Sequence, residues 1–210
     1  MKFPKKIKVI EVGPRDGLQS LNKWVPTEDK IKMINLLSRA NFPVIEVSSF
    51  ANPKIVPMLS DVEKVFEKIN RSSGIIYRAL APNFKGTVRA IETRMVDEIL
   101  GLLTVSETYL LKNQNMSLDD AIDEAGKSLQ ICEKSSVSFV MAIGLAFYCP
   151  YEGIISSEKT LSVVKRLYDK GIRRLYLAAS TGMENPSAIN HIFNIIRDKY
   201  LDLECGFHVH

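Results

Sequence analysis

Cysteine is scarce in this 210-residue chain: Cys132, Cys149 and Cys205 are odd in number and show no C-x-x-C spacing. That excludes a disulfide framework and a zinc knuckle. No window approaches the roughly 18 to 20 unbroken apolar residues of a membrane-spanning helix, so no membrane association is expected. The basic start, Met1-Lys2-Phe3-Pro4-Lys5-Lys6, runs into a short charged strand and does not suit a signal peptide. A cytoplasmic protein is the expectation. Net charge is only +4, and no basic stripe with interleaved aromatics occurs, so no nucleic-acid partner is expected. The small positive excess favours anionic ligands. Linker-like and low-complexity segments are also lacking, which predicts a single domain over residues 1–210.

What is present is a rhythm. With 46% hydrophobic residues the chain has enough apolar surface for a substantial core. Short β-branched runs alternate with amphipathic ones. Strands are predicted at Lys6–Val12, Val44–Ser48, Ile75–Leu80, within Val96–Val105, at Ser138–Ala146, Arg173–Ala178 and Leu201–His210. Helices are predicted from Thr27 to about Ala40, with Ile31, Ile34, Leu36 and Leu37 on the apolar side, then at Leu59–Ile69 and Phe84–Arg94. Three more follow: one from an N-cap at Ser117 to about Lys134, one at Ser157–Asp169 and one at Pro186–Lys199. Strands separated by single helices need parallel pairing with right-handed crossovers. An open doubly wound sheet and a barrel both satisfy this, but no G-x-G-x-x-G follows the first strand. The candidate chemical residues lie at the ends of several different strands, as at the mouth of a barrel. The predicted fold class is therefore α/β, a (β/α)8 TIM barrel truncated after strand 7.

The densest chemical signal is Glu11-Val12-Gly13-Pro14-Arg15-Asp16-Gly17-Leu18-Gln19, where a strand gives way to a tight turn. Arg15 offers a fixed fork of donors for a carboxylate or enolate oxygen, and Asp16 a hard oxygen ligand. At the other end, His208-Val209-His210 sets two imidazoles at strand spacing on one face. One carboxylate and two imidazoles point to a metal site; the same count also suits a two-histidine, one-carboxylate iron centre. Plainer readings stand beside these: a surface ion pair for Arg15 and Asp16, a salt-bridge partner for Glu46, an incidental pair for the histidines. Cys149 reads best as a small core residue rather than a nucleophile.

The stretch Glu11–Gln19 resembles the signature of the 3-hydroxy-3-methylglutaryl-CoA lyase family, among the metal-dependent barrel lyases and Claisen-type synthases. Further similar stretches run along the chain: Val44–Phe50, Pro53-Lys54 with Val56-Pro57, Leu80–Gly86, Ser106-Glu107 with Asn113, and Cys149–Gly153. The resemblance implies that Asp16, His208 and His210 hold a divalent cation, Mg²⁺ or Mn²⁺. It implies a carbon–carbon lyase of the leucine-degradation type, cleaving a 3-hydroxyacyl-CoA to acetyl-CoA and a keto acid. Arg15 would then stabilise the enolate, and Glu46 would position Arg15 or a proton carrier. The partner implied is a small-molecule acyl-CoA, with homo-oligomerisation left open.

Several positions depart from the family's pattern. Ala178-Ala179-Ser180 stands where the family has Gly-Asp-Thr, Gly144 where a Ser is common, Tyr148 for a Gly and Met58 for a Gln. The family's eighth strand, with its cysteine loop and asparagine ligand, has no counterpart before His210. From these departures come the expectations of weak metal binding, little cleavage by this chain alone, and three alternatives. These are the lyase itself, a diverged member with another acyl substrate, and a non-catalytic remnant of the scaffold.

Overall fold

The computed structural model describes residues 5–210. Its elements alternate as the periodicity predicts. They are β1 (Ile10–Glu11), α1 (Thr27–Arg39), β2 (Val44–Ser49), α2 (Val62–Lys68), β3 (Ile76–Leu80), α3 (Phe84–Glu92), β4 (Glu98–Thr104), α4 (Glu107–Gln114) and α5 (Leu118–Lys134). After them come β5 (Ser138–Gly144), β6 (Tyr148–Cys149), β7 (Gly153–Ile154), α6 (Ser157–Asp169), β8 (Arg174–Ala179), α7 (Pro186–Lys199) and β9 (Glu204–Val209). Seven strands hydrogen-bond in the order β1-β2-β3-β4-β5-β8-β9, and β6 and β7 form a separate antiparallel hairpin. Sequential parallel strands joined by helices are the α/β barrel order read from the sequence.

Two compact units divide the chain, one of residues up to Leu100 with Cys132–Ser138, the other of Gly101–Ile131 with Phe139–His210. In the first, the parallel strands β1, β2 and β3 and the start of β4 bury Val44, Ile45, Val47, Tyr77, Ala79 and Ile99. Helices α1 and α2 cover them with Ile34, Val62, Val65 and Phe66, all nearly inaccessible. In the second, Val140, Ile143, Leu175 and Leu177 from β5 and β8 are buried, as are Val163, Val164 and Leu167 of α6 and Ile192 and Ile196 of α7. Apolar burial of this kind stabilises by about 25 cal/mol per Å². Across β8 and β9 the register sets Gly206 opposite Tyr176. A Cβ on Gly206 would lie 2.1 Å from the Tyr176 ring, so only glycine lets that ring lie across β9.

Helix starts follow their caps. Asn83, Ser106, Ser156 and Asn185 each accept a backbone N–H of the first turn of α3, α4, α6 and α7. Ser117 Oγ accepts the Asp120 N–H at 3.1 Å, the expected cap of α5. Four local expectations fail. Lys6–Val12 shrinks to Ile10–Glu11, and Ile7 and Val9 are exposed. Leu36 lies on the exposed side of α1. Leu59–Ile69 divides into a 3₁₀ turn, Pro57–Leu59, and α2, which begins after Asp61; the Asp61 carboxylate accepts bonds from Thr27 and Lys30 at 2.7 Å each. Helix α4 and the β6–β7 hairpin were not expected: Tyr109, Leu110 and Leu111 are consecutive rather than helically spaced, and two-residue strands carry no alternation.

Candidate active site

Beyond β1 the backbone enters a single π-helical turn, Gly13–Gly17. Pro14 at its start brings no N–H, so the first donors are Arg15 and Asp16, both bonded to the Val12 carbonyl at 3.1 and 2.7 Å. The Leu18 N–H closes the turn onto the carbonyls of Gly13 and Arg15. Glu11 turns its carboxylate back to accept the Gly13 N–H at 2.6 Å. A β-carbon at Gly13 would sit 2.7 Å from that oxygen. The turn takes the backbone out of the strand, buries Arg15 and leaves Asp16 half-buried beside it.

Arg15 and Glu46 meet as the sequence predicts. Arg15 Nε donates to Glu46 Oε1, and Arg15 Nη1 donates to Asp16 Oδ1 at 2.5 Å. Glu46 lies inside β2 rather than at its end, 1% exposed. Cross-strand register places it opposite Arg78 of β3, and Arg78 opposite Glu98 of β4. Arg78 donates through Nε and Nη2 to Glu98 Oε1 at 2.7 and 2.5 Å, while its Nη1 stands 3.8 Å from Glu46 Oε2. The result is an alternating row, Asp16–Arg15–Glu46–Arg78–Glu98, in which Arg78 and Glu98 are 2% and 0% exposed. Ions this deep persist only when paired and hydrogen-bonded. The sequence reading missed Arg78 and Glu98. The signal for Arg78 was the one that marks Glu46, a lone charge in an apolar strand, Ile76-Tyr77-Arg78-Ala79-Leu80; Glu98, directly after Asp97 at the start of β4, carried none.

The second unit carries His208 and His210 at the end of β9, His208 opposite Ala178 of β8. As the i, i+2 spacing requires, the rings share a face, with Nε2 atoms 3.1 Å apart and His208 half-buried. Another cluster joins β6 and β7 to α4. Ser106 Oγ caps α4, donates to Glu152 Oε1 at 2.7 Å and accepts from Cys149 Sγ at 3.1 Å. Lys159 Nζ donates to the other Glu152 oxygen at 2.8 Å, and the Thr108 N–H to the first at 3.0 Å. Desolvation opposes the Glu152 charge, but the bonds from Lys159, Ser106 and Thr108 outweigh it and hold the carboxyl down to about 2. Cys149 is fully buried, as the core reading expects. Burial pushes the thiols of Cys132 and Cys205 up to about 12. Ala178 and Ala179 are buried, and Ser180 Oγ accepts the Leu145 N–H at 3.1 Å. A β-carbon on Gly144 would approach Thr104 Cγ2 to 3.2 Å, a tight fit for the serine common in the family.

Comparison with known proteins gives this geometry a context. The HMGL-like family profile matches residues 6–210. The mitochondrial hydroxymethylglutaryl-CoA lyase of Bos taurus is 35% identical over 208 residues, which are 99% of this chain and 64% of that protein. The chain thus spans less than two thirds of that relative's length. The solved HMG-CoA lyase of Bacillus subtilis superposes with a TM-score of 0.94 at 33% identity, covering 100% of this chain and 70% of its own. An HMG-CoA lyase from Acinetobacter baumannii, solved in complex with coenzyme A and 3-methylmalate, gives a TM-score of 0.86 at 36% identity over 93% of this chain and 64% of its own. These superpositions identify the α/β fold as that of the lyase TIM barrels. By profile, by identity and by fold, the chain belongs to the HMGL-like family.

Proposed function

We propose that this chain is a divalent-cation-dependent carbon–carbon lyase acting on a short branched 3-hydroxyacyl-CoA, with 3-hydroxy-3-methylglutaryl-CoA the first substrate to test. The observation that carries the reading is the bonding of Arg15: one guanidinium binds buried Glu46 through Nε and half-buried Asp16 through Nη1. As the family resemblance implies, Asp16, His208 and His210 would supply one carboxylate and two imidazoles, a mixed oxygen and nitrogen donor set that suits Mg²⁺ or Mn²⁺. The fit is chemical: the two imidazole Nε2 atoms face each other, and Asp16 is held in place by its neighbour's guanidinium. When bound, the cation supplies Lewis acidity to substrate oxygens.

In the proposed cleavage the tertiary hydroxyl loses its proton, the C2–C3 bond breaks, and its electron pair becomes the thioester enolate. C3 becomes the ketone of the keto acid, and protonation of C2 yields acetyl-CoA. Arg15 keeps its charge throughout and meets the developing enolate, a contribution typically worth about 2.7–4 kcal/mol. Glu46 occupies the Nε edge and so fixes which edge of the guanidinium remains for substrate. The acyl-CoA assignment is supported by the coenzyme A bound to the A. baumannii relative.

A second reading, another acyl group on the same scaffold, is favoured by Ala178-Ala179-Ser180. Ala179 is 2% exposed and brings no acidic group where the family's pattern has Asp. An assay of acetyl-CoA and keto-acid release from 3-hydroxy-3-methylglutaryl-CoA, with and without Mn²⁺, separates the readings. Cation-dependent release that Arg15→Met slows about 10²- to 10³-fold supports the first. Absence of release from this substrate, with release from a homologous 3-hydroxyacyl-CoA, favours the second; release that Arg15→Met leaves intact overturns both.

A further inference from the structure

The geometry points to Arg78 as a positioning residue for the site: by pairing with Glu98 on one side and facing Glu46 on the other, it fixes where Glu46 holds Arg15. The inference rests on the lyase reading for its catalytic consequence, but its structural content stands on β2, β3 and β4 alone.

Three neighbouring strands place Glu46, Arg78 and Glu98 at matched register positions. The Arg78 fork is spent mainly on Glu98, with Nε and Nη2 on the same oxygen. Its remaining nitrogen, Nη1, is 3.8 Å from Glu46 Oε2, while Glu46 Oε1 belongs to Arg15. Glu46 therefore lies between two guanidinium groups, one on each oxygen. A carboxylate held from both sides cannot rotate toward either without losing a contact, and in a site 1–2% exposed no water compensates the loss. The planar fork matters: a lysine at position 78 would bring one point charge and could not satisfy both carboxylates in this way. Movement of Glu46 passes to Arg15 Nε, and from Arg15 Nη1 to Asp16. A displacement of about 1 Å at a positioning group is enough to slow chemistry about 100-fold.

Nitrogen-15 NMR of arginine side chains tests this directly. In the parent chain the Arg15 Nε–Hε signal is expected to be shifted and slow to exchange, because its proton lies in a buried charge-assisted bond. The double variant Arg78→Met with Glu98→Met removes the ion pair together and leaves Glu46 held by Arg15 alone. It is expected to move and broaden the Arg15 signal, and to lower kcat about 10- to 100-fold with KM for the acyl-CoA nearly unchanged. Arg78→Lys is expected to recover part of the signal and part of kcat. Should the double variant fail to fold, Glu98→Gln, which is isosteric and keeps one acceptor oxygen for Arg78 but removes the charge, carries the test and is expected to shift the Arg15 signal less. An Arg15 signal unmoved in every folded variant overturns the proposal, as does an equal kcat with only melting temperature lowered. If the parent chain releases no acetyl-CoA, the lyase reading fails while the NMR result still decides whether Arg78 positions Arg15.

Discussion

In the first unit the chemistry-bearing groups are full charges taken out of water; in the second they are imidazoles near an exposed strand end and a hydroxyl–thiol–carboxylate clamp nearer the surface. The contrast is one of what sets geometry. Asp16, Arg15, Glu46, Arg78 and Glu98 alternate in sign, and burial makes each dependent on the next. Their arrangement is decided when the strands pair. Among Ser106, Cys149, Glu152 and Lys159 the Cys149–Ser106 bond is buried but uncharged, and the Glu152–Lys159 ion pair faces solvent, so each bond is worth less than a buried charge pair. The first unit is therefore expected to tolerate little substitution at its polar positions, and the second considerably more.

The largest effect is expected at the middle of the row. Glu46→Ala leaves two buried guanidinium groups without their shared carboxylate and is expected to cost about 3–5 kcal/mol, read by urea unfolding. A cost below 1 kcal/mol would erase the contrast. Arg15→Met is expected to lower kcat about 10²- to 10³-fold, the usual loss of one charge-stabilising donor, with circular dichroism unchanged. On the other side of the comparison, Ser106→Ala removes the cap of α4 and one bond to Glu152, and is expected to cost about 1 kcal/mol in the same unfolding experiment.

Smaller still is a pH effect at Glu152. Its folded carboxyl sits at about 2 against an ordinary 4.5, so its stabilisation is full above 4.5 and is lost as the pH falls toward 2. Glu152→Gln is expected to flatten the stability profile between those values and to leave it unchanged above 5. The smallest change is chemical: thiols raised to about 12 at Cys132 and Cys205 are expected to resist iodoacetamide at pH 8 in the folded chain and to react in urea.

Periodicity and capping residues made most of the architecture legible. Ser157–Asp169 and Pro186–Lys199 fall where their patterns place them because their apolar residues recur at helical spacing and Ser156 and Asn185 cap them. The first strand was overread: Ile7 and Val9 have strand spacing, yet both are exposed, and the pairing with β2 is confined to Ile10 and Glu11. In the site, Arg15, Asp16 and Glu46 were legible because the turn is local and a lone carboxylate in an apolar strand demands a partner. Arg78 carried the same signal as Glu46, a lone charge in an apolar strand, but its pairing with Glu98 and Glu46 follows from strand register, which a single sequence does not specify.

Titration calorimetry with Mn²⁺ on the parent chain, Asp16→Ala and His208→Ala asks whether the carboxylate of one unit and the imidazoles of the other serve one cation. Each substitution is expected to weaken binding by more than the roughly 10- to 100-fold typical of losing an outer-shell partner, while Ser106→Ala leaves it unchanged. Equal affinity in the parent chain, Asp16→Ala and His208→Ala would contradict a shared metal site.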